Sequence, residues 1–127
     1  MTGRPGGPSR ANPSRANVAR GEYGERRAAA WYERNGFTVL DRNWRDGRGG
    51  EVDLVLRKDD LVVICEVKAR RSDAYGAPAE AVTPAKQARL RRLAAAWLAA
   101  HLVHGVDVRF DVAAVTGTDI EVYEAAF

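Results

Sequence analysis

Glu66 and Lys68 close the most apolar stretch of the chain, Leu61 to Lys68, and residues two apart in a strand share a face, so the two charges project together. Charges that emerge from Val62-Val63-Ile64-Cys65 are paired, metal-bound, or carried out into water as an ordinary exposed ion pair. The preceding apolar stretch shows the same oddity at its other end, where Glu51 and Asp53 share a face and Asp53 runs directly into Leu54-Val55-Leu56. If the two stretches pair as a hairpin, the start of one lies against the end of the other. Three carboxylates then gather beside one ammonium. Carboxylates at such range repel unless a cation lies between them, and hard oxygen donors suit magnesium or manganese. A fourth acid, Glu25, sits on the helical stripe of Ala28, Ala29 and Tyr32, the face expected to pack on a sheet. Glu22 and Glu33 read more simply, as helix charges with easier structural roles.

The elements that must position these side chains follow from periodicity and punctuation. Asn17 to Asn35 reads as a helix, capped by Asn17, favoured by Ala28-Ala29-Ala30 and stopped at Asn35-Gly36, with Gly21 and Gly24 weakening its first half. Phe37 to Arg45 alternates as a strand, and Asp46-Gly47-Arg48-Gly49-Gly50 turns the chain into a second strand over Glu51 to Arg57. Lys58-Asp59-Asp60 is a short hairpin connection into Leu61 to Lys68, whose unbroken apolar run predicts a central strand covered on both faces. Residues 70 to 83, with Tyr75-Gly76-Ala77-Pro78, read as a long loop and a candidate substrate-contacting segment. Thr83 caps and Pro84 opens a long helix reaching about Val103, with a buried stripe of Leu90, Leu93 and Trp97 that extends to His101. Val106 to Val115 reads as a further strand, which Ile120 to Tyr123 can join across Thr116-Gly117-Thr118-Asp119.

With 127 residues, 46% of them hydrophobic and 29% charged, the composition fits one compact domain, here expected over residues 17 to 127. Four of the 20 basic residues (Arg4, Arg10, Arg15, Arg20) lie in the first 20 positions with no acid, leaving 16 basic against 17 acidic groups in the rest. Residues 1 to 16, rich in Gly, Pro, Ser, Asn and Arg, bury too little to offset the entropy of ordering and are expected to be disordered. Their arginines are either a nucleic-acid contact or a solvated extension. The longest apolar run, Leu93 to Ala100, is far short of the roughly 18 residues of a membrane span, and no export leader is evident, so a cytoplasmic protein without membrane contact is expected. Cys65, the single cysteine, is expected to be a small core residue.

Positive charge gathers around the candidate acids. Lys86, Arg89, Arg91 and Arg92 cluster at the start of the second helix with no nearby acid, and Arg70 and Arg71 follow just after Lys68. This arrangement suits either a track for nucleic-acid phosphates beside a metal or a solvated helix face, and cations near a helix N-terminus oppose its dipole. His101 and His104 lack a third ligand nearby. Trp31, Trp44 and Trp97 are isolated enough to be packing residues, and the Gly47 to Gly50 turn lacks the lysine and hydroxyl residue of a P-loop.

In combination and order, Gly24-Glu25 on a helix, Gly50-Glu51-Val52-Asp53-Leu54, Glu66-Val67-Lys68-Ala69-Arg70 and a terminal Ala126-Phe127 resemble the YraN-like bacterial family, whose function is uncharacterised. That family in turn resembles the PD-(D/E)xK nucleases, especially archaeal Holliday-junction resolvases, over about residues 17 to 127. The resemblance implies an α/β restriction-endonuclease-like fold, a mixed β-sheet flanked by α-helices, with Mg²⁺ or Mn²⁺ as cofactor and nucleic acid, chiefly DNA and including branched DNA, as partner. It implies that Asp53 and Glu66 bind the metal, with Glu51 beside them, that Lys68 orients or activates the attacking water, and that Glu25 assists. Gln87 matches the polar helix residue of resolvase-like members, and Val52 stands where the superfamily name has proline, a position that varies among its members. Resolvase-like relatives that cut two strands act as dimers, which extends the implication to a homodimer. The alternative function is a non-catalytic nucleic-acid-binding or repair-accessory protein that retains the fold.

Overall fold

The apolar run Leu61 to Cys65 forms the middle of a sheet because each of its faces has a helix to cover it. The computed structural model describes residues 15–70 and 82–127, the side chain of Asn17 excepted. Within these residues the chain forms α1 (Arg15–Arg34), β1 (Thr38–Arg45), β2 (Glu51–Lys58), β3 (Leu61–Arg70), α2 (Pro84–Ala100), β4 (Asp107–Thr116) and β5 (Asp119–Tyr123). The strands lie in chain order, β1-β2-β3-β4-β5. Neighbours are antiparallel except β3 and β4, which run parallel from Leu61↔Asp107 to Arg70↔Thr116. A parallel pair needs a crossover, and α2 lies within it. The fold is α/β, an open mixed sheet with two helices, consistent with a restriction-endonuclease-like architecture.

The two helices cover opposite faces. Ala28, Ala29 and Tyr32 of α1 pack with Leu54, Leu56, Val63, Cys65 and Ala113. Leu90, Leu93, Ala94 and Trp97 of α2 pack with Val52, Val55, Val62, Ile64, Phe110 and Val112. Alternate residues of β3 therefore enter different cores, which is why the strand reads as continuous apolar sequence. Among the described residues no helix is long and apolar enough to cross a membrane.

Element boundaries differ from expectation in three places. α1 already includes Arg15 and Ala16, so Asn17 lies within the helix and is not its cap. α2 begins as expected, with Thr83 Oγ1 accepting from Lys86 N at 3.2 Å and Pro84 in the first turn, but it ends at Ala100. His101 is the C-cap and lies outside the buried stripe: its N–H donates to Trp97 O, its ring stacks on Trp97 at 4.1 Å, and the chain then turns through Leu102 at a φ of 54°. Finally, β3 continues two residues past Lys68 to Arg70. Residues 1–14 of the expected tail, most of the loop expected over 70 to 83, and Arg71 lie outside the described residues.

Sequence periodicity gives no sign of the polar network inside the α1-side core. Asp111 on β4 is 0% exposed. Its Oδ2 accepts from Tyr32 Oη at 2.6 Å, Arg109 donates to both carboxylate oxygens at 2.9 Å, and Ala125 N donates to Oδ1 at 3.0 Å. A buried charge survives only with such a set of partners, and here they tie α1 to β4 and to the C-terminal residues. Burial first, and the neighbouring Cys65 and Asp111 after it, push the Tyr32 hydroxyl far above its usual range, so it acts as a donor.

Candidate metal centre

Gly24 determines how Glu25 reaches the sheet. A Cβ at Gly24 would lie 2.9 Å from Ala69 Cβ and 3.4 Å from Val67 Cγ1, so only glycine lets α1 approach the end of β3 this closely. Glu25 follows directly, partly buried, with Oε1 accepting from Asn43 Nδ2 at 3.2 Å. Asn43, on β1, has a left-handed φ of 50°. The β1–β2 register passes from Arg42↔Leu54 to Trp44↔Val52 around it.

Asp53 occupies the place where the sheet opens. The β2–β3 pairing runs from Lys58↔Leu61 to Leu54↔Cys65 and goes no further. One residue beyond, Asp53 Oδ2 accepts from Val67 N at 2.8 Å, so a side chain satisfies a strand N–H that the ladder leaves behind. Strict alternation also fails here, because Val52 packs on the α2 side while Leu54 packs on the α1 side. Glu51 and Asp53 are thereby grouped with Glu25, and one carboxylate oxygen from each of the three lies within 4.8 Å of the others. Arg45 pairs with Glu51 at 2.8 Å from the exposed side.

The electrostatics favour a cation. Burial first, then the charge of Glu66, push the Asp53 carboxyl up to about 8; the Val67 N–H opposes this, while Glu25 and Glu51 add to it. Burial likewise raises Glu25, partly offset by Asn43 and reinforced by Glu51 and Glu22. Three crowded carboxylates, two of them (Asp53 and Glu25) with their charged forms disfavoured by burial, are the donor set that hard divalent ions take. The residues present therefore fit a magnesium or manganese ion.

Glu66 stands next to this group but is held differently. It is 6% exposed, and its Oε2 lies 2.5 Å from Lys86 Nζ and 3.6 Å from Lys68 Nζ. The candidate acids thus form a trio from α1 and β2 and a lysine-bound fourth from β3, joined by repulsion between Asp53 and Glu66. Lys68 is beside Glu66 as the shared strand face predicts. Lys86, expected on a phosphate track, instead bonds the acid.

The other polar and basic candidates take separate positions. Arg89 and Arg92 are exposed on α2. Arg89 also runs beside the glycine turn, where Gly50 has a φ of 106° that favours glycine and where a Cβ would lie 3.0 Å from Arg89 Cδ. Gln87 Nε2 donates to Val82 O at 3.0 Å and so ties down the entry to α2. Arg91 faces elsewhere, over the rings of Phe110 and Phe127 at 4.7 and 5.5 Å. Arg70 lines a shallow depression with Arg20 and Tyr23, and Lys68 lines an adjoining one, again with Arg20. Cys65 is buried in the α1-side core, where burial raises its thiol. Trp97 is buried, and its Nε1 donates to Asp41 Oδ2 at 3.0 Å.

The family model described as uncharacterised protein family UPF0102 matches residues 24–115, a span that contains every candidate acid and the whole of α2. A protein named UPF0102 protein from Kineococcus radiotolerans is 57% identical over 103 residues, covering 80% of this chain and 84% of that one. The protein of the same name from Beutenbergia cavernae is 55% identical over 104 residues, covering 82% and 87%. That from Acidothermus cellulolyticus is 44% identical over 132 residues, covering 92% and 99%.

Proposed function

The chain belongs to the uncharacterised protein family UPF0102, and from its own site we propose a metal-dependent nuclease that hydrolyses phosphodiester bonds in DNA, branched DNA included. The observation that carries this reading is the convergence of Glu25, Glu51 and Asp53 within 4.8 Å, beside Glu66 and Lys68. Asp53 and Glu51 would hold a Mg²⁺ or Mn²⁺ ion, Glu25 would complete the trio, and Glu66 would join from β3. Such an ion supplies acidity to the attacking water and positive charge to the phosphate oxygens.

The protein's own groups do the rest. Lys68, fixed by Glu66 on a rigid central strand, presents an ammonium that orients the water and balances charge growing on the phosphate. Asn43 fixes one oxygen of Glu25 and the Val67 N–H fixes one oxygen of Asp53, so each carboxylate would be oriented before an ion arrives. Arg89, Arg92 and Arg70 would contact flanking phosphates.

The test is cleavage of labelled single-stranded, duplex, flapped and four-way nucleic acids with Mg²⁺ or Mn²⁺, alongside the Glu66→Gln/Lys68→Ala double variant. Activity in the wild type alone supports the nuclease and identifies its substrate. Silence from folded wild-type protein on every substrate overturns it in favour of a non-catalytic nucleic-acid-binding protein.

A further inference from the structure

We infer that Lys86 couples nucleic-acid binding to metal binding: it neutralises Glu66 in the free protein and moves to a phosphate when substrate arrives, releasing the carboxylate for the ion. This inference rests on the function proposed above. Its basis is the crowding of one oxygen, since Glu66 Oε2 has ammonium groups at 2.5 and 3.6 Å from Lys86 and Lys68. One carboxylate needs one counter-charge. Lys68 shares a strand with Glu66 and stays beside it, whereas Lys86 comes from a different element and is the separable member.

Where Lys86 sits makes it easy to move. It is in the first turn of α2, which contains no acid, so its ammonium is close to the positive end of the helix dipole, and its ion pair with Glu66 offsets that repulsion. Its backbone N–H is anchored by Thr83 Oγ1, but the side chain is partly exposed on a flexible four-carbon stem and can swing without disturbing the helix. Arg89 follows three residues along the same helix and is exposed. A phosphate at this end of α2 would meet both cations and draw Lys86 outward.

The ion and Lys86 compete for the same oxygen, so anything that removes Lys86 from Glu66 strengthens metal binding. By linkage, the ion must strengthen nucleic-acid binding by the same factor. A purely structural lysine predicts the opposite sign, because losing it would disorder Glu66 and weaken the metal site. Lys86 is accordingly a positioning residue that acts through Glu66.

The experiment titrates Mn²⁺ into the full chain and follows free Mn²⁺ by electron paramagnetic resonance. It is done with and without a short phosphorothioate DNA duplex, whose own Mn²⁺ uptake is subtracted. In the wild type the duplex should raise Mn²⁺ affinity on the order of tenfold. Lys86→Gln should bind Mn²⁺ on the order of tenfold more tightly than wild type without DNA and gain little from the duplex. Lys86→Arg should retain the coupling. If the wild type takes up no Mn²⁺, the metal-dependent reading fails and this inference with it. If it binds Mn²⁺ in an Asp53-dependent way, but Lys86→Gln does not tighten binding or keeps the full effect of the duplex, the Lys86 inference alone is overturned.

Discussion

Asp53→Asn separates the charge of the acidic cluster from its shape. The Asp53 carboxyl is pushed from an ordinary 3.8 to about 8, chiefly by burial and then by Glu66. Between those values the native state keeps a proton that the unfolded chain has lost. The metal-free protein therefore loses stability as pH rises through this window and levels off above it. At about 1.4 kcal/mol per unit the window sets a ceiling of roughly 6 kcal/mol, and relaxation with water entry around a partly exposed carboxylate reduces this to about 2 kcal/mol. Asparagine preserves the outline and can still accept the Val67 N–H while carrying no charge.

The assay is urea denaturation with a chelator at about pH 5 and about pH 8.5. Wild type should be less stable at the higher pH by about 2 kcal/mol from this source, and Asp53→Asn should exceed wild type there by a similar amount. Added Mn²⁺ should restore the wild type and leave the variant unchanged. Equal stability of the wild type at the two pH values, together with a destabilised variant at the higher one, would refute the account of Asp53 as a crowded carboxylate lacking its counterion.

Other expectations address separate contacts. Gly24→Val should cost about 2 kcal/mol or more in urea denaturation, since even its Cβ would lie 2.9 Å from Ala69 Cβ. Tyr32→Phe removes one donor from a fully buried carboxylate and should cost about 1 to 3 kcal/mol by the same measurement. Arg89→Glu with Arg92→Glu should weaken DNA binding and reduce its salt dependence by about two ions in a fluorescence-anisotropy titration, whereas unaltered binding would remove α2 from the nucleic-acid surface. Lys68→Ala should lose cleavage by about a hundredfold or more in single-turnover kinetics while binding Mn²⁺ with little change.

The sheet was legible wherever local pattern and tertiary burial agree. The apolar runs of β2 and β3, the Thr83-Pro84 start of α2 and the alternation of β4 each state their own burial, and all appear within a residue or two. The proximity of Glu51, Asp53, Glu66 and Lys68 followed from hairpin logic, but the division of the acids did not. It arises from the break in alternation between Val52 and Leu54, which a period-two reading smooths over. Lys86 reaches Glu66 across a crossover connection, so nothing in its neighbourhood along the chain announces the partner. Asp111 was equally silent, although a lone acid between Phe110 and Val112 in an apolar strand is the kind of residue whose partners are worth seeking elsewhere. The role of Asn43 has no local sequence signal, because it depends on a left-handed backbone angle in β1 and on Glu25, 18 residues earlier on a helix.

The bond from the Val67 amide to Asp53 gives the centre a native reporter. An amide proton shared with a carboxylate resonates according to that carboxylate's charge, and Val67 senses the group without belonging to it. One backbone cross-peak in a nitrogen-15 correlation spectrum would therefore follow both the titration of Asp53 and its capture by a cation, with no label, substrate or turnover required. The same amide should exchange slowly with deuterium while Asp53 holds it and faster in a variant whose side chain cannot accept, such as Asp53→Ala, which makes the opening of the sheet at this point measurable residue by residue.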